Sequence, residues 1–122
     1  MSGAQPKDRL YLRHILDAID RIESYLRDVS RSDFDATPLL QDGVIRQLQI
    51  LGEAAKRLSP SLGDGLSTIP WSEVTGMRDK LTHDYMGVDL DAVWKTATED
   101  LEPLKAAVRE GLRAAGGESN GA

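Results

Sequence analysis

The 122-residue sequence has no cysteine, few aromatic residues and no long apolar run. Without cysteine, a disulfide framework, a thiolate nucleophile and a cysteine-ligated zinc or iron–sulfur site are excluded. With two Trp, three Tyr and one Phe, the core must be mostly aliphatic. No apolar stretch approaches the roughly 20 residues that a transmembrane helix needs, and the polar start lacks the apolar run of a signal peptide. We therefore expect a cytoplasmic protein with no membrane partner.

Positive charge is also in the minority. The chain has 15 Lys and Arg against 20 Asp and Glu, a formal net charge of −5 at pH 7. This balance argues against a protein that coats nucleic acid through bulk charge. It leaves open a site where positive charge is concentrated locally.

The apolar residues recur at spacings of three and four, which predicts amphipathic helices and no strand. Thr37 before Pro38 and Asp89 before the last apolar stripe are typical helix starts, and Pro103 should kink or split the last helix. We predict an all-α, up-and-down bundle of four to five helices, formed by residues 1–113 and followed by a disordered tail at 114–122. The helices are expected at about 7–30, 37–59, 69–84 and 89–112, with loops at 31–36, 59–68 and 86–88.

The first predicted helix carries a long apolar stripe that fits either packing within a bundle or contact with a partner helix, and the sequence does not separate the two. The stripe consists of Leu12, Ile15, Ile19, Ile22, Leu26 and Val29 and is widened by Leu10 and Leu16. In the second predicted helix, Gly43 and Gly52 each cost about 1 kcal/mol relative to Ala. Glycines inside a helix often let another backbone approach closely.

The two histidines have different surroundings. His14 lies mid-helix with Asp17 one turn later, and because this pair lacks a third ligand, a surface residue is favoured over a metal ligand. Asp79 lies one turn before His83, where a carboxylate can orient an imidazole and raise its pKa. Arg78 adds a permanent charge whose planar fork suits phosphate. We expect no metal site.

By residue type alone, the segment around Arg78 and His83 also fits a solvated helix face with spaced salt bridges. Arg78 and His83 are five residues apart, about 140° on a helical wheel, so their side chains diverge in a regular helix. They could converge if the helix unwinds near His83, or a second chain could complete the site. Metal-free RNA cleavage needs a base, an acid and a cation, and one chain offers a single well-placed histidine. A symmetric dimer would present two copies of each residue across one cleft.

Residues 78–85, Arg-Asp-Lys-Leu-Thr-His-Asp-Tyr, resemble the Arg-polar-x-x-x-His-x-Tyr signature of HEPN-domain toxins of the HepT type. Three further blocks fit the pattern of that family in order, and the resemblance spans about residues 8–112. These blocks are 41–46 with 51–58, Ile69-Pro70-Trp71, and Val93-Trp94 with 100–104.

The resemblance implies a HEPN-like bundle that forms a homodimer or higher homo-oligomer and acts as the toxin of a type VII-like toxin–antitoxin module. The implied activity is a metal-independent endoribonuclease with RNA as substrate, Arg78 and His83 as the catalytic pair and Asp79 as a supporting residue. The resemblance also implies that the ribonuclease needs no cofactor. The antitoxin that it implies is a minimal nucleotidyltransferase that uses ATP and magnesium to transfer AMP, with Tyr85 as the acceptor.

A second interpretation belongs to another class of protein. The long stripe and the acidic surface also suit a non-catalytic helical dimer that binds a protein or nucleotide partner. Growth arrest or complex formation by such a dimer would not change when Arg78 or His83 is replaced, whereas the activity of a ribonuclease would be lost.

Overall fold

The computed structural model describes residues 6–59 and 89–114 as helices and short connections. No strand occurs in these two ranges, and the all-α prediction is confirmed. The predicted helix at 69–84, the loops at 59–68 and 86–88 and the tail at 114–122 lie wholly or almost wholly outside the described residues. The helices are α1 (Pro6–Tyr25), α2 (Arg31–Asp35), α3 (Pro38–Lys56), α4 (Leu90–Lys95) and α5 (Leu101–Ala114), with a π-helical turn (Thr96–Asp100) between α4 and α5.

The core lies between the apolar faces of α1, α3 and α5. Four residues of the predicted α1 stripe are fully buried there: Leu12, Ile15, Ile19 and Ile22. The placement of Leu10 in this stripe is wrong, because Leu10 is 52% exposed. At 100° per residue it lies on the opposite side of the helix from the stripe. The stripe of α1 is therefore covered by helices of the same chain.

Helices α1 and α3 run antiparallel. At one end, the backbone N–H of Ser59, just after α3, donates to Asp8 in the first turn of α1. At the other end, the Tyr25 ring lies against Gly43, where an added Cβ would be 3.4 Å from the ring. The neighbour of Gly43 is therefore an aromatic side chain and not the backbone expected from sequence.

Helix α1 ends five residues earlier than predicted, and the predicted loop at 31–36 contains α2. Asp28 has a φ of 60°, a left-handed conformation that cannot continue an α-helix. Ser30 then starts α2 with a capping box. Its Oγ accepts from the Asp33 N–H at 3.1 Å, and Asp33 Oδ2 accepts from the Ser30 N–H at 3.3 Å. Two otherwise unpaired helix N–H groups are satisfied in this way.

Replacing Ser30 with alanine should lower the free energy of unfolding by about 1 kcal/mol, since the side-chain half of the capping box is lost. Urea unfolding followed by circular dichroism measures this change. Ser24, exposed within α1, is the matched control, and Ser24→Ala should change stability by less than about 0.5 kcal/mol. Equal losses in the two variants would show that the capping box contributes nothing.

The predicted starts of the second and last helices agree with the structure to within one residue. Pro38 is the first residue of α3, but the Thr37 hydroxyl donates to the Asp33 carbonyl at 2.7 Å instead of capping the helix. Asp89 caps α4, since its Oδ1 accepts from the N–H groups of Asp91 and Ala92.

The interruption expected at Pro103 lies just before it, in the π-helical turn. Proline has no N–H, so the carbonyl four residues earlier, at Glu99, loses its α-helical partner. Glu99 belongs to the π-helical turn, and Pro103 falls in the first turn of α5, where a proline is tolerated. None of the described helices is long and apolar enough to cross a membrane.

Candidate functional site

All four residues predicted for the site, Arg78, Asp79, His83 and Tyr85, lie outside the described residues. Their roles stay predictions. The structure instead shows how the chain is held on both sides of the segment that carries them, at Ser59 before it and in α4 after it. It also shows a groove beside the first of these points.

The first attachment point is a buried hydrogen bond. The Ser59 N–H donates to Asp8 Oδ1 at 2.8 Å, and both residues are almost completely buried. A hydrogen bond to a carboxylate is stronger than a neutral one, and a buried carboxylate is costly unless it is paired. This bond fixes the end of α3 against the start of α1 at the point where the chain enters residues 60–88.

Replacing Asp8 with alanine should destabilise the protein by about 1.5–3 kcal/mol, because the buried N–H of Ser59 loses a charged acceptor. Asp8→Asn keeps an oxygen at this position and should lose less. Urea unfolding of both variants, with the exposed Asp17→Ala as control, measures the difference. If Asp8→Ala were as stable as Asp17→Ala, the bond would not anchor this end of the bundle.

The second attachment point joins α2 to α4. The Arg31 guanidinium donates to Asp35 at 2.8 Å and to Asp91 at 2.6 Å, and these two carboxylates raise the pKa of Arg31, Asp35 contributing most. The pairs are exposed and therefore contribute little stability. The fully buried Phe34 also packs its ring against Trp94, with centroids 5.2 Å apart, and this aromatic contact adds apolar burial that the exposed ion pairs lack.

A groove beside the first attachment point combines several positive charges with an aromatic ring. It has a volume of about 520 Å³ and is lined by Lys7, Tyr11, Glu53, Lys56, Arg57 and Leu58, which we call the basic groove. Arg57 donates to Glu53 Oε2 from Nε at 3.1 Å and from Nη2 at 3.0 Å. This hydrogen bond is the main cause of the raised pKa of Arg57, and the Tyr11 hydroxyl adds a smaller effect.

Sequence reasoning missed the basic groove as a unit. Lys56 and Arg57 fall in a block that was recognised for its family pattern, but Lys7 and Tyr11 lie about 50 residues earlier. The antiparallel pairing of α1 with α3 brings the four residues together. The groove could have been found from the sequence only by first predicting that α1 and α3 pair in this way.

His14 is exposed, as predicted, and its ring meets the edge of Tyr11 with centroids 5.7 Å apart. Within residues 6–59 and 89–114, no three His, Asp or Glu side chains are grouped closely enough to hold a metal ion.

Comparison with known proteins identifies related chains along most of this length. A family model described as "Ribonuclease HepT-like" matches residues 15–110. The "Probable ribonuclease HepT" of Thermococcus cleftensis is 43% identical over 95 residues, covering 78% of this chain and 86% of its own. A "Putative RNase" of Caldanaerobacter subterraneus is 37% identical over 105 residues, covering 86% of this chain and 94% of its own.

A third relative is longer than this chain. A Methanocaldococcus jannaschii protein named "Gamma-glutamylcyclotransferase and putative RNase" is 42% identical over 97 residues, or 80% of this chain. The chain spans only 44% of that protein. No solved structure gives a significant match.

Proposed function

The chain belongs to the HepT-like ribonuclease family, and on that premise we propose that it is a metal-independent endoribonuclease and the toxin of a type VII-like toxin–antitoxin module. The observation that carries the proposal is the extent of the family match. It covers residues 15–110 and so includes the whole segment from Arg78 to Tyr85.

In the proposed reaction, the 2′-oxygen of RNA attacks the adjacent phosphorus and the bond to the 5′-oxygen breaks. A base takes the proton of the 2′-hydroxyl, and an acid gives a proton to the leaving 5′-oxygen. The products are a 2′,3′-cyclic phosphate and a 5′-hydroxyl, so no other reactant is consumed. In this proposal His83 transfers the protons and Arg78 stabilises the negative charge on the phosphorane. Asp79 orients the imidazole of His83.

We place this site at the cleft of a homodimer. One chain supplies one suitable histidine, whereas two chains supply both a base and an acid. Two copies of Arg78 would also give a chain of net charge −5 a locally positive site for a phosphodiester.

The proposed regulation acts on Tyr85. The cognate nucleotidyltransferase, with ATP and magnesium, would form a bond between the Tyr85 oxygen and the α-phosphorus of ATP and release pyrophosphate. The added adenylate would bring bulk and negative charge to the segment that holds Arg78 and His83, which opposes RNA binding.

Expression of the wild type and of Arg78→Ala in the same bacterial host tests the proposed function at low cost. The wild type should arrest growth, and Arg78→Ala, at equal protein level, should not. Equal arrest by both would instead support the non-catalytic dimer. The structure weakens that second interpretation, because four of the six residues of the α1 stripe that favoured a partner helix are fully buried within the chain.

Intact-mass measurement after incubation with the nucleotidyltransferase, ATP and magnesium tests the acceptor. The mass should rise in whole units of adenylate for the wild type and for Tyr25→Phe, a control that removes an exposed hydroxyl elsewhere. Tyr85→Phe should keep its original mass. Adenylation of Tyr85→Phe to the wild-type level would overturn the assignment.

A further inference from the structure

We propose that the basic groove binds single-stranded RNA at the end of the bundle where the chain enters residues 60–88, with its cations on the phosphate backbone and Tyr11 against a base. The inference rests on the proposed ribonuclease function and adds a substrate-binding surface to it. Charge, ring chemistry and position each support it.

The charge of the groove is opposite to that of the chain. Among the described residues that line the groove, the cations Lys7, Lys56 and Arg57 outnumber the carboxylates, of which Glu53 is the one that holds Arg57. The whole chain has a net charge of −5. The groove is therefore a place where an acidic chain can attract the phosphates of an RNA strand, because a cleft with concentrated positive charge raises the local concentration of anions.

Arg57 is well suited to a phosphate. Its guanidinium carries five N–H donors in a planar fork, and Glu53 accepts from Nε and from Nη2. The carboxylate thus holds the fork at a fixed angle while the side chain stays 56% exposed. A held fork loses less entropy when it binds an anion than a freely rotating one does.

The aromatic ring favours RNA over an acidic peptide. Tyr11 is half-buried and lines the groove with the cations. Proteins that bind single-stranded nucleic acid combine a positive groove with aromatic side chains on which bases stack. An acidic peptide requires only the cations.

The groove adjoins the point where the chain enters the segment that carries the predicted catalytic residues. Leu58 lines the groove, and the next residue, Ser59, is the buried anchor from which the chain enters the segment with Arg78 and His83. Contacts to parts of the RNA strand that do not react strengthen substrate binding and lower KM without changing the chemical step. We therefore assign Lys7, Tyr11 and Arg57 to substrate binding and not to catalysis.

The test compares two double variants with the same net charge. Lys7→Gln/Arg57→Gln removes two cations from the groove, and Arg21→Gln/Arg109→Gln removes two exposed cations elsewhere, so both chains fall from −5 to −7. Arg21 is 14 residues from Lys7 along α1, or about 21 Å at the helical rise. Both double variants are made in a His83→Ala chain, so that the RNA stays intact. Each protein is titrated into a fluorescent single-stranded RNA, and binding is followed by fluorescence anisotropy.

The groove variant should bind RNA roughly five- to tenfold more weakly than the control at low salt. Its slope of log affinity against log salt should be smaller by about 1.4, since each lost phosphate contact on a single strand removes about 0.7. Tyr11→Leu should also bind severalfold more weakly, but with an unchanged slope. In the His83-containing chain, the groove variant should raise KM and leave kcat unchanged, which a folding defect would not do.

Equal RNA affinity, salt slope and KM in the groove variant and the control would overturn the inference while leaving the ribonuclease intact. Weakened binding of the nucleotidyltransferase with unchanged RNA binding would also overturn it, and would make the groove a protein-binding surface. Failure of the proposed function is distinct: the unmodified chain would then not cleave RNA at all.

Discussion

Replacing His83 with alanine should reduce RNA cleavage by about 10²–10⁴-fold, the usual contribution of a general acid–base catalyst. Binding of RNA should change little, since the variant removes the group that moves protons. Cleavage of a labelled RNA in EDTA, followed by gel electrophoresis, measures the rate.

The matched control is the other histidine of the chain. His14 is exposed on α1, and His14→Ala should keep the wild-type rate. Wild-type activity in His83→Ala would refute the assigned role of this residue. Equal losses in the two histidine variants would indicate a general effect of histidine removal rather than a catalytic one.

Replacing Phe34 with alanine should have the largest effect on stability, about 3–5 kcal/mol. Phe34 is fully buried and its ring packs on Trp94, so truncation leaves a cavity between α2 and α4. Small domains are stable by only about 5–15 kcal/mol, so this is a large share of the total. Urea unfolding with the linear extrapolation measures the loss.

Two further variants show whether the effect comes from the cavity. Phe34→Leu should lose less, because it refills part of the space. Leu39→Ala removes an apolar side chain that is 82% exposed, five residues away, and should change stability by less than about 0.5 kcal/mol. A loss in Phe34→Ala no larger than that of Leu39→Ala would show that α2 is not anchored by this ring.

Helical periodicity in the sequence was sufficient to predict most of the core that the described helices form. Ile15, Ile19 and Ile22 are buried because three- and four-residue spacings place them on one face of α1. The same three- and four-residue spacing excludes Leu10, which lies on the opposite side of the helix and was wrongly included in the stripe. Asp89 was predictable because its side chain satisfies backbone N–H groups within its own helix.

Short helices and long-range contacts were not predictable in the same way. The capping box of α2 ends in Asp33 where Glu or Gln is usual, and five residues are too few to show a period. The pair of Arg31 with Asp91 joins residues 60 positions apart, so it depends on how the helices pack. The basic groove is of the same kind, since Lys7 and Arg57 meet only when α1 and α3 pair.

The candidate site was predicted from a motif, and its support comes from the family match. Arg78, His83 and Tyr85 were identified by residue type and spacing together, because either alone also describes an ordinary solvated helix. The structure adds how the chain is held just before residue 60 and just after residue 88, through a buried anchor at Ser59 and a cap at Asp89, and it shows a groove with several cations next to Ser59.

The central claim is that this chain cleaves RNA without a metal ion. The most direct measurement incubates the purified chain with a labelled single-stranded RNA in excess EDTA, beside Arg78→Ala, and identifies the ends of the products. We predict cleavage that leaves 2′,3′-cyclic phosphate ends and that is lost in Arg78→Ala. Cleavage that appears only when magnesium is added, or that persists in Arg78→Ala, would contradict the claim.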